Sequence, residues 1–185
     1  MTPTEPSSEA VAEVRQLNRL FLEFLCDRAP VSIERFGLSA RAAEFLRCAT
    51  PDQIDRAARF PRALFGLSLA PVPAAALPVL GATSNREQVV TLVLLHSARN
   101  LARISGYWAR LLLRLDDESV QRLRAAGVED IVAMSSADGV LSAAFGVLDR
   151  VLPELLAEPH PERWRRLLLL GFQPDILLPA GADTA

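Results

Sequence analysis

The sequence predicts an all-α fold, an orthogonal, bundle-like packing of long and short helices in two related halves. Three observations predict it. Apolar residues recur at steps of three and four through the long segments, the spacing of one helix face. Helix-start signals stand before the shorter segments: Ser39, the box Thr50-Pro51-Asp52-Gln53 and the box Ser84-Asn85-Arg86-Glu87. A pattern over residues 36–69 returns, weaker, in the second half. Hydrophobic residues make up 50% of the 185, enough for a sizeable core in one domain or two small ones and too many for a disordered chain.

Residues 1–8 are polar, contain Pro3 and Pro6, and read as a disordered N-terminus without the basic and apolar regions of a signal peptide. The first half covers residues 9–69. Its first helix runs from about Ser8 to Arg28, with Val14, Leu17, Phe21 and Phe24 on one face. Pro30 interrupts it, and a helical turn over residues 32–36 leads into Gly37, which can take the backbone angles of a tight connection. Ser39 caps one short helix. Thr50 caps the next, where Pro51 occupies the first helical position and no N–H is missed. Phe60-Pro61 ends that helix, and residues 63–69 read as an extended piece that needs a strand to pair with. Leu17, Phe21, Phe24, Phe45, Leu64 and Phe65 are the candidate core and interface residues of this half.

Residues 70–83 hold three prolines among Ala, Val and Leu, a linker expected to lie extended against the surface. The second half, residues 84–171, opens with one helix over about residues 85–113. Val90, Leu94, Ser97, Leu101, Ile104, Trp108, Leu111 and Leu115 alternate steps of four and three, the seam of a helix packed lengthwise. Leu101, Ile104 and Trp108 are therefore candidate core residues, with Trp108 largely buried. Arg99, Arg103, Arg110 and Arg114 fall on another face and read as a solvated charged side, with an anion-contacting stripe as the alternative. A helix over residues 140–156 with Pro153 as kink or terminus, a last helix over 161–170 stopped by Gly171, and a C-terminal tail over 172–185, apolar over 172–179 and expected to pack back on the body, with a docking peptide as the alternative, complete the chain.

The echo has an offset of 115 − 38 = 77. Leu38 matches Leu115, Leu46-Arg47 matches Leu123-Arg124, Ala49 matches Ala126, Ile54 matches Ile131, Leu64 matches Leu141, and Glu129 replaces Asp52. The helix with Asn100 then corresponds to the one with Asn18. Chance matching between Leu- and Ala-rich helices is the alternative to a tandem duplication whose halves pack as an intramolecular pseudo-dimer.

The formal net charge of −2 argues against a protein that grips nucleic acid alone over a wide basic face. Cys26 and Cys48 read as small buried hydrophobes in a reducing cytosol, and no charge-free apolar run reaches the length of a membrane span. His96 and His160 lack partners at metal-ligand spacing, so no metal is expected, and His96 reads as a packed residue. Gly37-Leu38-Ser39-Ala40-Arg41 lacks the closing Gly of a nucleophile elbow, and phosphate- and dinucleotide-binding fingerprints are missing. Asp116-Asp117-Glu118 reads as the acidic start of a helix. The expectation is a non-enzymatic protein with no cofactor, no small-molecule substrate and no membrane association.

The basic candidates for DNA contact are Arg35, Arg41, Arg47, Arg56, Arg59 and Arg62, around the two short helices of the first half. Residues 39–48 and 50–59 invite a helix-turn-helix reading, but Asp52 and Asp55 on the would-be recognition helix would repel phosphate. A solvated face of short helices is the alternative.

Leu17-Asn18 in the first helix, Arg35-Phe36-Gly37-Leu38 at the turn, and Ala49-Thr50 with Gln53-Ile54 at the next helix start together resemble the FlhD family, one subunit of the bacterial flagellar master transcription activator. The resemblance covers roughly the first seventy residues, strongest over residues 10–69, with a degenerate second copy over about 88–145. It departs from the family in a shorter link between the first helix and the Gly turn, and in Phe65 where some members carry a cysteine, so no intersubunit disulfide is expected there. The resemblance implies a cytoplasmic regulatory subunit that binds an FlhC-like partner and touches DNA only within that complex. A helical scaffold or accessory protein of a secretion or motility system, without DNA binding, is the competing expectation.

Overall fold

A computed structural model describes residues 8–28, 33–69 and 85–144, together with Leu152, Leu156 and Glu162, which are helical. The architecture is all-α with one small sheet: α1 (Ser8–Arg28), a 3-10 turn (Ile33–Phe36), α2 (Ala40–Arg47), α3 (Pro51–Ala58), β1 (Phe65–Leu67), α4 (Arg86–Ile104), α5 (Gly106–Leu113), α6 (Asp117–Ala125), α7 (Val128–Ser135) and β2 (Leu141–Ala143). The expected linker over 70–83, the residue 161–170 helix apart from Glu162, and the tail over 172–185 lie outside the described residues.

Local chemistry sets the helix starts. Ser39 accepts a hydrogen bond from the Ala42 N–H at 3.3 Å, and Thr50 with Gln53 forms the reciprocal box, each satisfying donors that the helix itself leaves free. At α4 the cap is Asn85, which accepts from Glu87 N, while Ser84, the expected start of that box, lies outside the described residues. Gly37 takes φ +78° at the turn into α2.

The long helix expected over 85–113 is two helices. Ser105 is extended (φ −153°, ψ 105°), and its hydroxyl accepts from Trp108 N, starting α5 in a new direction. The eight-residue seam therefore fails where the axis turns: Val90, Leu94, Leu101 and Leu115 are buried, Ser97, Trp108 and Leu111 are half-buried, and Ile104 is 82% exposed. The helix expected over 140–156 also begins differently. Residues 141–143 are β2, and Leu152 and Leu156 beyond it are buried and helical.

The extended piece after α3 finds its partner within the chain. β1 and β2 run antiparallel, Gly66 opposite Ser142, and the ladder is flanked by Ser68 N–H to Val140 O and Ala144 N–H to Leu64 O, both 2.9 Å. Around this ladder the core is continuous. Phe21 meets Phe65 edge-on at 5.8 Å between ring centroids, Phe24 meets Phe36 at 5.5 Å, and Leu94, Leu95, Leu123 and Leu152 are fully buried. Ala63 N–H donates to Leu112 O at 2.7 Å and Arg62 Nε to Leu111 O at 2.7 Å, joining the first half to α5. The α1 C-terminus meets the α4 N-terminus through Asp27 with Arg86 and Arg28 with Asn85.

The order long helix, short helical piece, two short helices, strand occurs twice. At the offset of 77, Leu17 and Leu94, Phe21 and Ala98, Leu25 and Ala102, Leu38 and Leu115, Leu46 and Leu123, and Ile54 and Ile131 are all buried. Gly37 and Arg114, also 77 apart, both take the left-handed backbone, Arg114 at φ +58°. Asn100 is exposed, however, and the buried position that matches Asn18 is held by Leu95.

Candidate nucleic-acid interface

The six arginines of the first half do not form one free basic face. Arg35 pairs with Glu87 at 2.5 Å and lies over the Phe36 ring. Arg47 pairs with Glu44 on α2. Arg62 is half-buried with its Nε on the Leu111 carbonyl, a structural tie between the halves. The other three point differently: Arg41 is exposed with its guanidinium 5.8 Å from the Phe45 ring centroid, Arg59 is exposed at the end of α3, and Arg56 is half-buried with an Nε that lacks an acceptor among the described residues. Asp52 is exposed on α3, while Asp55 is half-buried and tied to Arg19 at 3.0 Å.

The candidate core and interface residues separate in the same way. Leu17, Phe21, Phe24, Leu64, Phe65 and Leu101 are buried. Phe45 and Trp108 pack against that core half-buried, and Ile104 stands in solvent because α4 ends there.

Asn18 is the buried polar residue that organises this half. It is 0% exposed on α1, its Nδ2 donates to the carbonyls of Phe60 (3.0 Å) and Arg62 (2.9 Å), with Ala58 O at 3.4 Å, and its Oδ1 accepts from Leu64 N at 2.7 Å. The chain leaving α3 would otherwise bury these backbone groups unpaired, so one amide side chain replaces a missing stretch of secondary structure. The turn that carries Arg59 and Arg62 is thereby fixed to α1.

Cys26, Cys48 and His96 depart from expectation. Cys26 is half-buried, and burial, with Asp27 and Glu23 nearby, pushes its thiol up to about 11. Cys48 is exposed, because it caps the C-terminus of α2 at the junction with α3, and both cysteines are free thiols. His96 is exposed on the outer side of α4. Asp116 is the N-cap of α6. The hydrogen bond from Ser119 N, at 2.6 Å, holds its carboxyl below the usual range. Of the second-half arginines expected in solvent, Arg103 and Arg110 are exposed and Arg114 is half-buried, whereas Arg99 is only 8% exposed. No group of three or more His, Cys, Asp or Glu among the described residues could hold a metal ion, and no helix among them is long and apolar enough to cross a membrane.

Comparison with family models, with curated proteins and with solved structures finds no match for this chain.

Proposed function

We propose that the protein is an FlhD-like regulatory subunit that binds a partner protein in the cytoplasm and, within that complex, helps activate transcription of motility or related genes. The observation that carries this reading is the clamp made by Asn18. It is the residue that the family resemblance singles out in the first helix, and its side chain holds the α3–β1 turn against α1 through four backbone groups. In this reading the two halves are tandem copies that complete one core within a single chain, and DNA contact falls to Arg41, Arg56 and Arg59, with the partner supplying most of the positive charge.

The second reading, a helical interaction or scaffold protein without DNA binding, draws on the engagement of Arg35, Arg47 and Arg62 inside the molecule. One titration separates the two. The complex with its partner is titrated with target DNA at several salt concentrations, using wild type and the triple variant Arg41→Ala, Arg56→Ala, Arg59→Ala. The regulatory reading expects weaker binding and a log–log salt slope reduced by about 0.9 for each phosphate no longer neutralised, with partner capture intact. Unchanged affinity and slope would leave the scaffold reading.

A further inference from the structure

The outer ridge of α4 differs from that of α1 at every matching position. The offset of 77 sets Ala12, Gln16, Arg19, Glu23 and Asp27 against Val89, Val93, His96, Asn100 and Ile104, and all ten are exposed. The α1 ridge is charged and engaged, Arg19 with Glu23 and Asp55, and Asp27 with Arg86. The α4 ridge carries neither carboxylate nor guanidinium. Val89 is 47%, Val93 41% and Ile104 82% exposed, along about 22 Å of helix at 1.5 Å per residue.

A second departure lies on the flank of this ridge. Gln88, Leu92, Arg99 and Arg103 follow one another at helical spacing on the side of α4 turned towards α6 and α7. Gln88 Nε2 donates to Ser136 Oγ at 2.5 Å, and Arg103 donates to the carbonyls of Arg124 and Ala126 at 3.3 and 3.4 Å. Arg99 stands between them, 8% exposed, and its Nε has no acceptor among the described residues. The matching position in α1 is Leu22, fully buried. A buried Nε–H without an acceptor costs a fold stability, and leucine is the solution the other half uses at this position. An anion from outside the described core would satisfy that donor.

We propose that the outer ridge of α4 is the docking surface for a helix of the partner protein, with Val89, Val93 and Ile104 receiving its apolar face and Arg99, on the flank of the ridge, receiving the carboxylate of an Asp or Glu on it. The inference rests on the partner-binding reading above and assigns that reading a surface. Charge complementarity selects the occupant. One largely desolvated arginine beside a neutral apolar ridge is the anatomy of a protein–protein hot spot, whereas a nucleic acid would need a row of free cations. Glu129 and Asp130, exposed on α7, would repel such a polyanion.

The first test follows the Arg99 Nε–H signal by NMR in the full chain titrated with sodium acetate, against sodium chloride at equal ionic strength. A saturable shift with acetate is expected, lost in Arg99→Leu, which should melt no lower than wild type. No saturable shift, a response to phosphate but not acetate, or a lower melting temperature of Arg99→Leu, which would reveal an internal partner, each overturns the proposal. In the second test, Arg99→Leu and Val93→Asp should each weaken partner capture at least about tenfold. Capture undiminished by these substitutions overturns the docking surface alone, whereas a wild-type chain that captures no partner overturns both readings.

Discussion

Asn18 offers the sharpest test of how this fold is held. Replacing it by Ala removes the donors to the Phe60 and Arg62 carbonyls and the acceptor for Leu64 N, three bonds of 3.0 Å or less, in a site with 0% exposure. Each such bond contributes about 1 kcal/mol net, and an orphaned buried N–H costs about 1–3 kcal/mol. The two bonds to carbonyls at about 1 kcal/mol each, with the orphaned Leu64 N–H at about 1–3 kcal/mol, put Asn18→Ala at a loss of about 3–5 kcal/mol, a large fraction of the stability of an ordinary domain. Asn18→Leu should be nearly as damaging, even though leucine fills the volume and stands at the matching residue 95, because the same backbone groups lose their partners. Asn18→Asp keeps the acceptor but sets a carboxylate against the carbonyls of Phe60 and Arg62, and should be no better than Ala. Urea denaturation followed by circular dichroism measures all three, with unchanged m showing that the unfolding transition is the same one. An Asn18→Leu protein within about 0.5 kcal/mol of wild type would refute the reasoning, since buried backbone would then be tolerated without the clamp.

Two further predictions concern the backbone and its caps. Gly37 takes φ +78° with no atom within 4 Å of where a Cβ would stand, so Gly37→Ala should cost about 1–2 kcal/mol through backbone strain alone. Denaturation curves in which Gly37→Ala is as stable as wild type would refute it. Asp116→Ala should destabilise α6 by about 0.5–2 kcal/mol at neutral pH. The folded carboxyl lies below its unfolded value, so the capping contribution is complete above the unfolded pKa and is lost as pH falls through the folded one. The gap between wild type and variant should therefore narrow on acidification, and a constant gap in pH-dependent melts would count against the assignment.

The sequence alone determined what is local. The polar caps at Ser39 and Thr50, Pro51 at a first helical position and the apolar faces of α1 and α4 each depend on side chains a few residues apart. An all-α protein with a short extended piece after α3 was legible for that reason. Tertiary structure decided the rest. Ser105 can continue a helix or cap a new one, and only the turn of α5 against α6 and the core selects the cap; with that turn, Ile104 left the expected seam for solvent. The segment after Val140 has apolar residues that suit helix or strand, and pairing with β1 selected the strand. The six arginines look alike in sequence, yet Glu87, Glu44 and the Leu111 carbonyl claim three of them, and two of those partners come from the other half of the chain. Arg99 shows the same limit. Helical spacing gives its angle around α4, but whether that angle faces water or protein depends on where α6 and α7 pack, and that placement is a long-range energy balance that no local pattern encodes.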